Sequence, residues 1–352
     1  MRITINKGEL KNALGTVSKY AGNATANLAC VRIDATDDHA YFAATNMDES
    51  AQCRASALID EDGCCLISAK RLGEIVNVMP EAAVTIDADE SHAEIICGGS
   101  RFEIPALDPE DFPGIQSVEE ESKITLLYST YCLMVSKAAN FAAKPSSNRS
   151  VIEGILLEVG EGRVCMVATN SYSIFCTESD AQGEFSCVIP APFAKVTASA
   201  QTDARDVTIA FGGNVIRVEV GDYTFTSRAY SKNFPNYRQL IPESMTSTAT
   251  VNGQTLAGAL KRASVIGNAT PVAISIEDGT ATFSADEKES GRMSEEFECR
   301  SDGAIEIKVN AAYALDAVNA MAGFDVTLGY NGALKPLVFK AGRSLAIVMP
   351  VR

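Results

Sequence analysis

The side chains with the strongest intrinsic chemistry in this sequence are ten cysteines and two histidines, His39 and His92. Thiols and imidazoles act as metal ligands, redox centres or nucleophiles when a second group stands at a suitable spacing. The sequence has no C-x-x-C pair and no Cys/His cluster with zinc spacing, and neither histidine is near a serine or cysteine elbow. Most cysteines lie inside apolar, strand-like runs such as EIICGG and VCMVATN. We therefore predict reduced, buried cysteines and no metal site or cofactor.

Familiar catalytic motifs are also absent from the sequence. It contains no G-x-S-x-G, no P-loop and no G-x-G-x-x-G after a strand. The acidic runs EEES and DEKES are more typical of solvated loops than of acid/base pairs. A hydrolase that uses one of the cysteines is an alternative, but no cysteine has a plausible histidine partner. We therefore expect a protein that is not an enzyme.

Basic side chains recur in segments with helical periodicity, on the side away from the apolar residues. They are Lys7, Lys11, Lys70, Arg71, Lys137, Lys195, Lys261 and Arg262. The formal net charge is −15, which argues against a surface that grips nucleic acid through phosphates. The acids concentrate in predicted loops and strand edges, so the helices can still present a weakly positive face. The alternative is that these basic residues are ordinary solvated helix positions.

Amphipathic helices must position these basic groups. Leu10, Ala13, Leu14 and Val17 follow the i, i+3, i+4, i+7 spacing of a helix. Further apolar stripes are Leu72, Ile75, Val76 and Met79; Leu256, Leu260 and Ala263; and Leu315, Val318 and Ala322. The segment TYCLMVSKAANFAA is a less regular counterpart in the middle of the chain.

The helices belong to a unit that occurs three times. Each unit contains a short strand, a helix, a run of V-T-I or V-T-L, a glycine hairpin and two closing strands. The V-T runs begin at Val84, Val207 and Val326, and the hairpins at Gly98, Gly212 and Asn331. A spacing of about 120 residues between equivalent positions indicates a triplication. Two helices and roughly eight strands per unit favour two antiparallel sheets with both helices on one face, an α+β fold.

The breaks in this pattern predict three domains, 1–119, 120–243 and 244–352, which suits a chain of 352 residues. The stretches LDPEDFPGIQSVEEESK and NFPNYRQLIPESMTS would be the linkers. The N-terminus has no apolar stretch typical of a signal peptide, and no run approaches the ~18 apolar residues of a membrane span. We therefore expect a soluble cytoplasmic protein without a membrane partner.

Several stretches resemble one protein family. The triplication, DFPGI, VATNSYSI, FTSRAYSKNFPNYRQLIP and the terminal VMPVR are similar to the bacterial DNA polymerase III β subunit, the sliding clamp, over the whole chain. The resemblance implies three clamp domains and a head-to-tail dimeric ring whose inner helices surround duplex DNA without reading its sequence. It implies a nucleoid-associated processivity factor that tethers the polymerase III α subunit, the clamp loader, other polymerases and repair proteins. A ring tolerates an acidic net charge, because topology rather than phosphate contact retains the DNA.

The resemblance also implies three sets of site residues. DNA contacts fall on Asn23, Lys70, Ser146, Arg149 and Ser150. A partner-peptide cleft between the second and third domains falls on Ile152, Thr169, Ser171, Tyr172, Ser173, Ile174, Pro235, Gln239, Leu240, Pro336, Ile347, Met349, Pro350, Val351 and Arg352. The dimer interface falls on Gly99, Arg101, Glu103, Leu107, Val265 and Ile266.

The cleft motif departs from the family pattern at its polar positions. Many members have T-D-G-H-R-L where this chain has T-N-S-Y-S-I, and Arg where it has Gln239. The apolar floor is kept and the polar rim differs, so a different peptide preference is possible. A second interpretation also stays open, a triplicated β-rich binding or assembly protein that never meets DNA.

Overall fold

The computed structural model describes residues 1–118, 122–145, 151–231, 233–266, 271–321 and 323–351. The chain divides into two compact units, Met1–Tyr131 with Lys195–Ala229 and Cys132–Ala194 with Tyr230–Arg352. Four predicted site residues, Ser146, Arg149, Ser150 and Arg352, lie outside the described residues. Within the described ranges, no helix is long and apolar enough to cross a membrane.

The first unit contains one antiparallel sheet of thirteen strands. Nine strands come from the first repeat: β1 (Arg2–Asn6), β2 (Cys30–Thr36), β3 (His39–Thr45), β4 (Glu49–Ser56), β5 (Leu58–Glu61), β6 (Gly63–Ser68), β7 (Ala83–Ala88), β8 (His92–Cys97) and β9 (Ser100–Leu107). Four come from the second repeat: β10 (Ser122–Leu127), β15 (Asp206–Gly212), β16 (Val215–Val220) and β17 (Tyr223–Arg228). The order is β10-β15-β16-β17-β4-β3-β2-β6-β9-β8-β7-β1-β5, so the pair β17–β4 joins the two repeats.

The second unit contains a nine-stranded and a four-stranded antiparallel sheet. The second repeat supplies β11 (Gly154–Gly160), β12 (Arg163–Thr169), β13 (Ser173–Asp180) and β14 (Phe185–Pro190). The third repeat supplies β18 (Ser247–Asn252), β19 (Pro271–Glu277), β20 (Thr280–Glu287), β21 (Gly291–Glu298), β22 (Arg300–Asp302), β23 (Ile305–Asn310), β24 (Asp325–Tyr330), β25 (Leu337–Ala341) and β26 (Ser344–Val348). The orders are β14-β11-β12-β13-β26-β25-β24-β18-β22 and β21-β20-β19-β23, and here the pair β13–β26 joins two repeats.

Each repeat also has two α-helices. They are α1 (Lys7–Val17), α2 (Ala69–Val78), α3 (Tyr128–Ala138), α4 (Ala191–Thr197), α5 (Gly253–Ile266) and α6 (Ala311–Asn319). Short 3-10 helices cover Ser18–Tyr20, Pro109–Asp111, Val151–Glu153 and Tyr237–Leu240. An asparagine ends the strand before α1, α5 and α6, and its side-chain oxygen accepts a hydrogen bond from an N–H of the first helical turn. The predicted α+β class and the pairing of two helices with about eight strands per repeat are confirmed.

The apolar stripes predicted for α1, α2 and α5 are all buried. In α6 the prediction is only partly right. Val318 is buried, but Leu315 is half-buried, and the helix ends at Asn319, before Ala322, which lies outside the described residues. The small residues Ala311, Ala314 and Ala317 complete the buried face instead, so the buried face of α6 is rotated about the helix axis relative to the predicted stripe.

The prediction matched glycine hairpins that are not equivalent in the three repeats. Gly98 connects β8 to β9, whereas Gly212 ends the V-T strand β15 and Asn331 comes directly after the V-T strand β24. The equivalent glycines are Gly98, Gly221 and Gly342, which precede the last strand of each repeat with φ of 57°, 57° and 54°. These positions need the left-handed conformation that glycine adopts at little cost.

Candidate functional site

An apolar pocket of ≈ 130 Å³ lies in the second unit, beside the start of β13, the 3-10 helix Tyr237–Leu240 and the end of β26. Its lining is Ile152, Thr169, Ser171, Tyr172, Ser173, Ile174, Pro235, Tyr237, Leu240, Ile347 and Met349. All of these except Tyr237 are predicted cleft residues. Pockets for whole small molecules usually measure ~300–1,000 Å³, so this volume suits an apolar side chain presented by a peptide.

The first wall of the pocket is the tight hairpin between β12 and β13. The Thr169 hydroxyl donates to the Ser173 carbonyl (2.8 Å) and accepts from the Ser171 N–H (3.2 Å). The Asn170 side-chain oxygen accepts from the N–H groups of Tyr172 (3.0 Å) and Ser173 (2.8 Å). Ser171 has φ of 75°, a left-handed conformation that non-glycine residues seldom adopt. These bonds hold the backbone in the turn and turn Tyr172 outward, where it is 60% exposed.

The second wall is the segment that follows β26. The Met349 N–H donates to the Tyr172 carbonyl (2.9 Å), and the Val351 N–H donates to the Lys308 carbonyl (2.8 Å). Ile174 of β13 pairs with Ile347 of β26, and both side chains are almost fully buried, so they form the floor. Met349 stays 38% exposed at the rim. The strand therefore completes the sheet, and the residue just after it is free to contact a ligand.

The third wall is the 3-10 helix Tyr237–Leu240, which lies within the predicted linker NFPNYRQLIPESMTS. Tyr237 is buried, and its hydroxyl donates to Glu158 (2.7 Å). The Arg238 guanidinium donates to the same carboxylate (3.0 Å) and lies 5.0 Å from the Tyr237 ring centre. This anchoring turns Leu240 outward, where it is 45% exposed. The sequence signal for Tyr237 was its place between two predicted lining residues, Pro235 and Leu240.

Of the predicted cleft residues that the structure describes, four do not line this pocket. Pro350 and Val351 turn towards β23, where Pro350 forms a bridge with Val309. Gln239 is exposed on the linker helix, and Pro336 is half-buried just before β25. Beside the hairpin wall, the Tyr172 ring stacks on Tyr313 with centroids 5.8 Å apart.

The first repeat contains the same hairpin, but its pocket is much smaller. Thr45 and Asn46 make the same side-chain hydrogen bonds, and Met47 has φ of 79°. The position of the Ile174–Ile347 floor is taken by Ser50 and Thr226, whose hydroxyls hydrogen-bond to each other. The remaining cavity is only ≈ 30 Å³. Two equivalent turns therefore border a larger pocket with an aliphatic floor and a much smaller one with a hydroxyl pair in place of that floor.

The predicted basic residues fall into two groups. Lys11, Lys70, Arg71, Lys195 and Lys261 are exposed on their helices, and Asn23 is exposed in a loop. In the first unit, Lys11 and Lys70 border a groove of ≈ 430 Å³ between α1 and α2, together with Lys19. The predicted exposure is confirmed for this group.

The remaining basic side chains are less available than predicted. Lys7 was expected on an exposed face but is buried, because its ammonium donates to the Met79 carbonyl and to Glu81 (2.9 Å). Arg262 is exposed, but Glu295 neutralises it through a two-pronged ion pair. Lys137 is half-buried, and loss of solvation lowers its pKa. Long-range partners that the local sequence does not reveal cause these differences.

The predicted interface residues lie on β9 and at the end of α5. Arg101 and Glu103 are exposed, and β9 pairs with β6 only through Ala106 and Leu107. Leu107 is half-buried against an apolar cluster within its own unit. Gly99 is exposed, Val265 is 80% exposed, and Ile266 is half-buried.

Comparison with known proteins gives one consistent result. Three family models match the chain, for the N-terminal domain (residues 1–116), the central domain (132–236) and the C-terminal domain (238–351) of the DNA polymerase III beta subunit. A beta sliding clamp of Caulobacter vibrioides is 27% identical over 340 residues, covering 92% of this chain and 91% of that protein. One of Streptomyces coelicolor is 25% identical over 347 residues, covering 92% of each.

Solved structures agree in fold. The Caulobacter crescentus DNA polymerase sliding clamp superposes with a TM-score of 0.91 at 26% identity and 100% coverage of both chains. The Bacillus subtilis sliding clamp gives a TM-score of 0.93 at 22% identity, covering 100% of this chain and 99% of that one. With its three matched domains and the clamp fold, this chain belongs to the family of bacterial DNA polymerase III beta subunits, the sliding clamps.

Proposed function

We propose that the chain is a non-catalytic processivity clamp that encircles duplex DNA and tethers replication and repair proteins through the apolar pocket of its second unit. The observation that carries the proposal is the contrast between two equivalent hairpins. The Ile174–Ile347 floor borders a pocket of ≈ 130 Å³, whereas the hydrogen-bonded Ser50–Thr226 pair borders a cavity of only ≈ 30 Å³. Of these two equivalent positions, only the one with the aliphatic floor has room for a side chain of a short linear motif.

The size and chemistry of the pocket support a weak, exchangeable interaction. Burying one Leu and one Phe of a peptide contributes about 3–6 kcal/mol before ordering costs are subtracted. That range favours micromolar affinity, which suits a clamp shared by the polymerase III α subunit, the clamp loader, other polymerases and repair proteins. The Tyr172–Tyr313 stack at the rim offers an aromatic surface, so the residues of the motif outside the pocket would make apolar contacts there.

For DNA, we propose a sliding role with few phosphate contacts. Among the basic residues predicted on the helices, Lys11, Lys70, Arg71 and Lys195 in the first unit and Lys261 in the second are exposed. Because the net charge is −15, retention by a closed ring explains DNA association better than affinity does. The proposed domains are 1–119, 120–243 and 244–352, which contain strands β1–β9, β10–β17 and β18–β26.

Ring closure would use two chains head to tail. Among the described residues, the segment of β9 before Ala106 pairs with β8 alone, so its other backbone edge can accept a strand of a partner. Val265, at the end of α5, is an exposed aliphatic side chain of the kind that a partner covers. We propose that these two surfaces meet across the dimer.

A loading experiment tests the proposal. The clamp would be loaded on nicked circular plasmid with the cognate clamp loader and ATP, and the plasmid would then be linearised. A sliding ring should leave through the new ends and stay on DNA whose ends are blocked. Retention on linear DNA with free ends would refute the ring, and failure to load at all would favour an assembly protein that does not meet DNA.

A further inference from the structure

Two cysteines meet directly beneath the pocket of the second unit. Cys165 on β12 and Cys176 on β13 have their sulfur atoms 2.9 Å apart, and each residue is only 8% exposed. Cys176 is opposite Val167 in the strand pair, so the two cysteines are diagonal neighbours on one face of the sheet. Strand register, rather than sequence spacing, brings them together.

Polar groups surround the pair on three sides. Glu158 of β11 and Glu178 of β13 lie directly opposite Cys165 in the sheet. The Tyr237 hydroxyl lies 3.9 Å from the Cys165 sulfur. Arg238 and Arg163 form ion pairs with Glu158 and Glu178, so both carboxylates are partly neutralised. The two sulfur atoms therefore lie beside polar groups within a cluster that is otherwise apolar.

The two thiols are chemically unequal. The hydrogen bond between the two sulfur atoms lowers the pKa of Cys165, against burial and the two carboxylates, and the same interaction raises the pKa of Cys176. These directions favour Cys165 as the thiolate and Cys176 as the thiol of the pair. By contrast, burial raises the pKa of Cys187, in the same sheet, to about 12.

We propose that Cys165 and Cys176 are a peroxide-sensitive pair that closes to a reversible disulfide under the pocket. The Cys165 thiolate attacks a peroxide oxygen, an S–O bond forms, the O–O bond breaks and hydroxide leaves. The Cys176 sulfur then attacks the sulfenic sulfur, the S–S bond forms, the S–O bond breaks, and the released oxygen leaves as water with the Cys176 proton. Overall, two thiols lose two electrons and two protons, and one peroxide becomes two waters. A small oxidant is required because both sulfurs are nearly buried.

The same sulfurs and the Glu178 carboxylate lie within 4.8 Å of one another, so a metal ion is the competing assignment. Two thiolates on one tetrahedral zinc ion, at ~2.3 Å each, would be about 3.8 Å apart. The observed 2.9 Å is shorter, and Glu178 is already paired with Arg163 at 3.3 Å. The geometry therefore favours disulfide chemistry.

The pair is connected to the pocket by two residues. Cys176 is two positions from Ile174 on the same face of β13, and Tyr237 contacts both the pair and the pocket. If the proposed function holds, oxidation of the pair would therefore change how the pocket binds a peptide. The test below needs no peptide, so failure of this inference can be told apart from failure of the proposed function.

The experiment uses the full-length protein, freed of reductant and titrated with hydrogen peroxide. Remaining thiols are alkylated, and chymotrypsin, which cleaves after Tyr172 and Phe175, separates the two cysteines for mass spectrometry. We expect a mass loss of two hydrogens per chain and a Cys165–Cys176 linked peptide, at lower peroxide than any change at Cys187. Dithiothreitol should restore ten alkylatable thiols.

Matched variants complete the test. Cys165→Ser and Cys176→Ser should each abolish the two-hydrogen loss, and Cys187→Ser should keep it. Thermal melting under reducing conditions checks that each variant is folded. The result for the wild-type protein does not depend on the variants. Oxidation of other cysteines before any linked peptide appears would overturn the inference. The inference would also be overturned if the purified protein contained one zinc ion per chain and Cys165→Ser or Cys176→Ser lost that ion.

Discussion

The strongest test of the pocket is removal of the two aliphatic side chains at its rim. Leu240 is 45% exposed and Met349 is 38% exposed, and a bound peptide would cover these fractions. Complete burial of such a side chain is worth about 1.5–3 kcal/mol, so the uncovered parts correspond to about 0.7–1.3 kcal/mol for Leu240 and 0.6–1.1 kcal/mol for Met349. The double variant Leu240→Ala, Met349→Ala should therefore bind about 10- to 60-fold more weakly.

The assay is fluorescence anisotropy with a labelled synthetic peptide that carries adjacent Leu and Phe residues. The matched control is Leu334→Ala, since Leu334 is 74% exposed in the same unit but does not line the pocket. Circular dichroism melts would show that all variants are folded. If the double variant binds within twofold of the wild type, the pocket is not the peptide site and the reasoning fails.

Three further predictions concern other parts of the chain. Ser171→Gly should raise stability by about 0.5–1 kcal/mol in urea unfolding, because glycine relieves the positive φ of 75°; a loss of stability would contradict the strain argument. Asp316→Asn should raise the melting temperature at pH 7, because burial raises the pKa of this carboxyl above 3.8 and disfavours its charge. The gain should shrink as the pH falls through the folded pKa towards 3.8, and a gain independent of pH would exclude this cause. Val265→Asp should shift the protein from dimer to monomer in sedimentation velocity, and Val78→Asp, on an equally exposed valine of α2, should leave the dimer intact.

Sequence periodicity predicted what depends on neighbours in the chain. The buried stripes of α1, α2 and α5 follow from local spacing, and so does the polar turn at T-N-S-Y-S, whereas the prediction that this turn borders a cleft came from the family resemblance. Lys7 was placed wrongly because its partners, Met79 and Glu81, lie more than 70 residues away. An exposed and a buried lysine look identical in a local pattern.

The cysteine pair shows the same limit. Neither C-x-x-C spacing nor composition marks Cys165 and Cys176, which are 11 residues apart. Counting outward from the β12–β13 turn would have placed them on one face, so the register of the hairpin was the available signal. The seams β17–β4 and β13–β26 had no signal in the local sequence, because each is a pairing between different repeats.

Those seams have a consequence for protein synthesis. Thr177 on β13 forms a side-chain hydrogen bond with Ser344 on β26, which is 167 residues later in the chain. Ser50 on β4 forms one with Thr226 on β17, which is 176 residues later. At about 5–20 residues per second, each of these strands spends roughly 8–35 s on the ribosome without its partner. Nascent chains should therefore be most prone to aggregation in these intervals, and the pocket can receive a ligand only after translation has reached Met349.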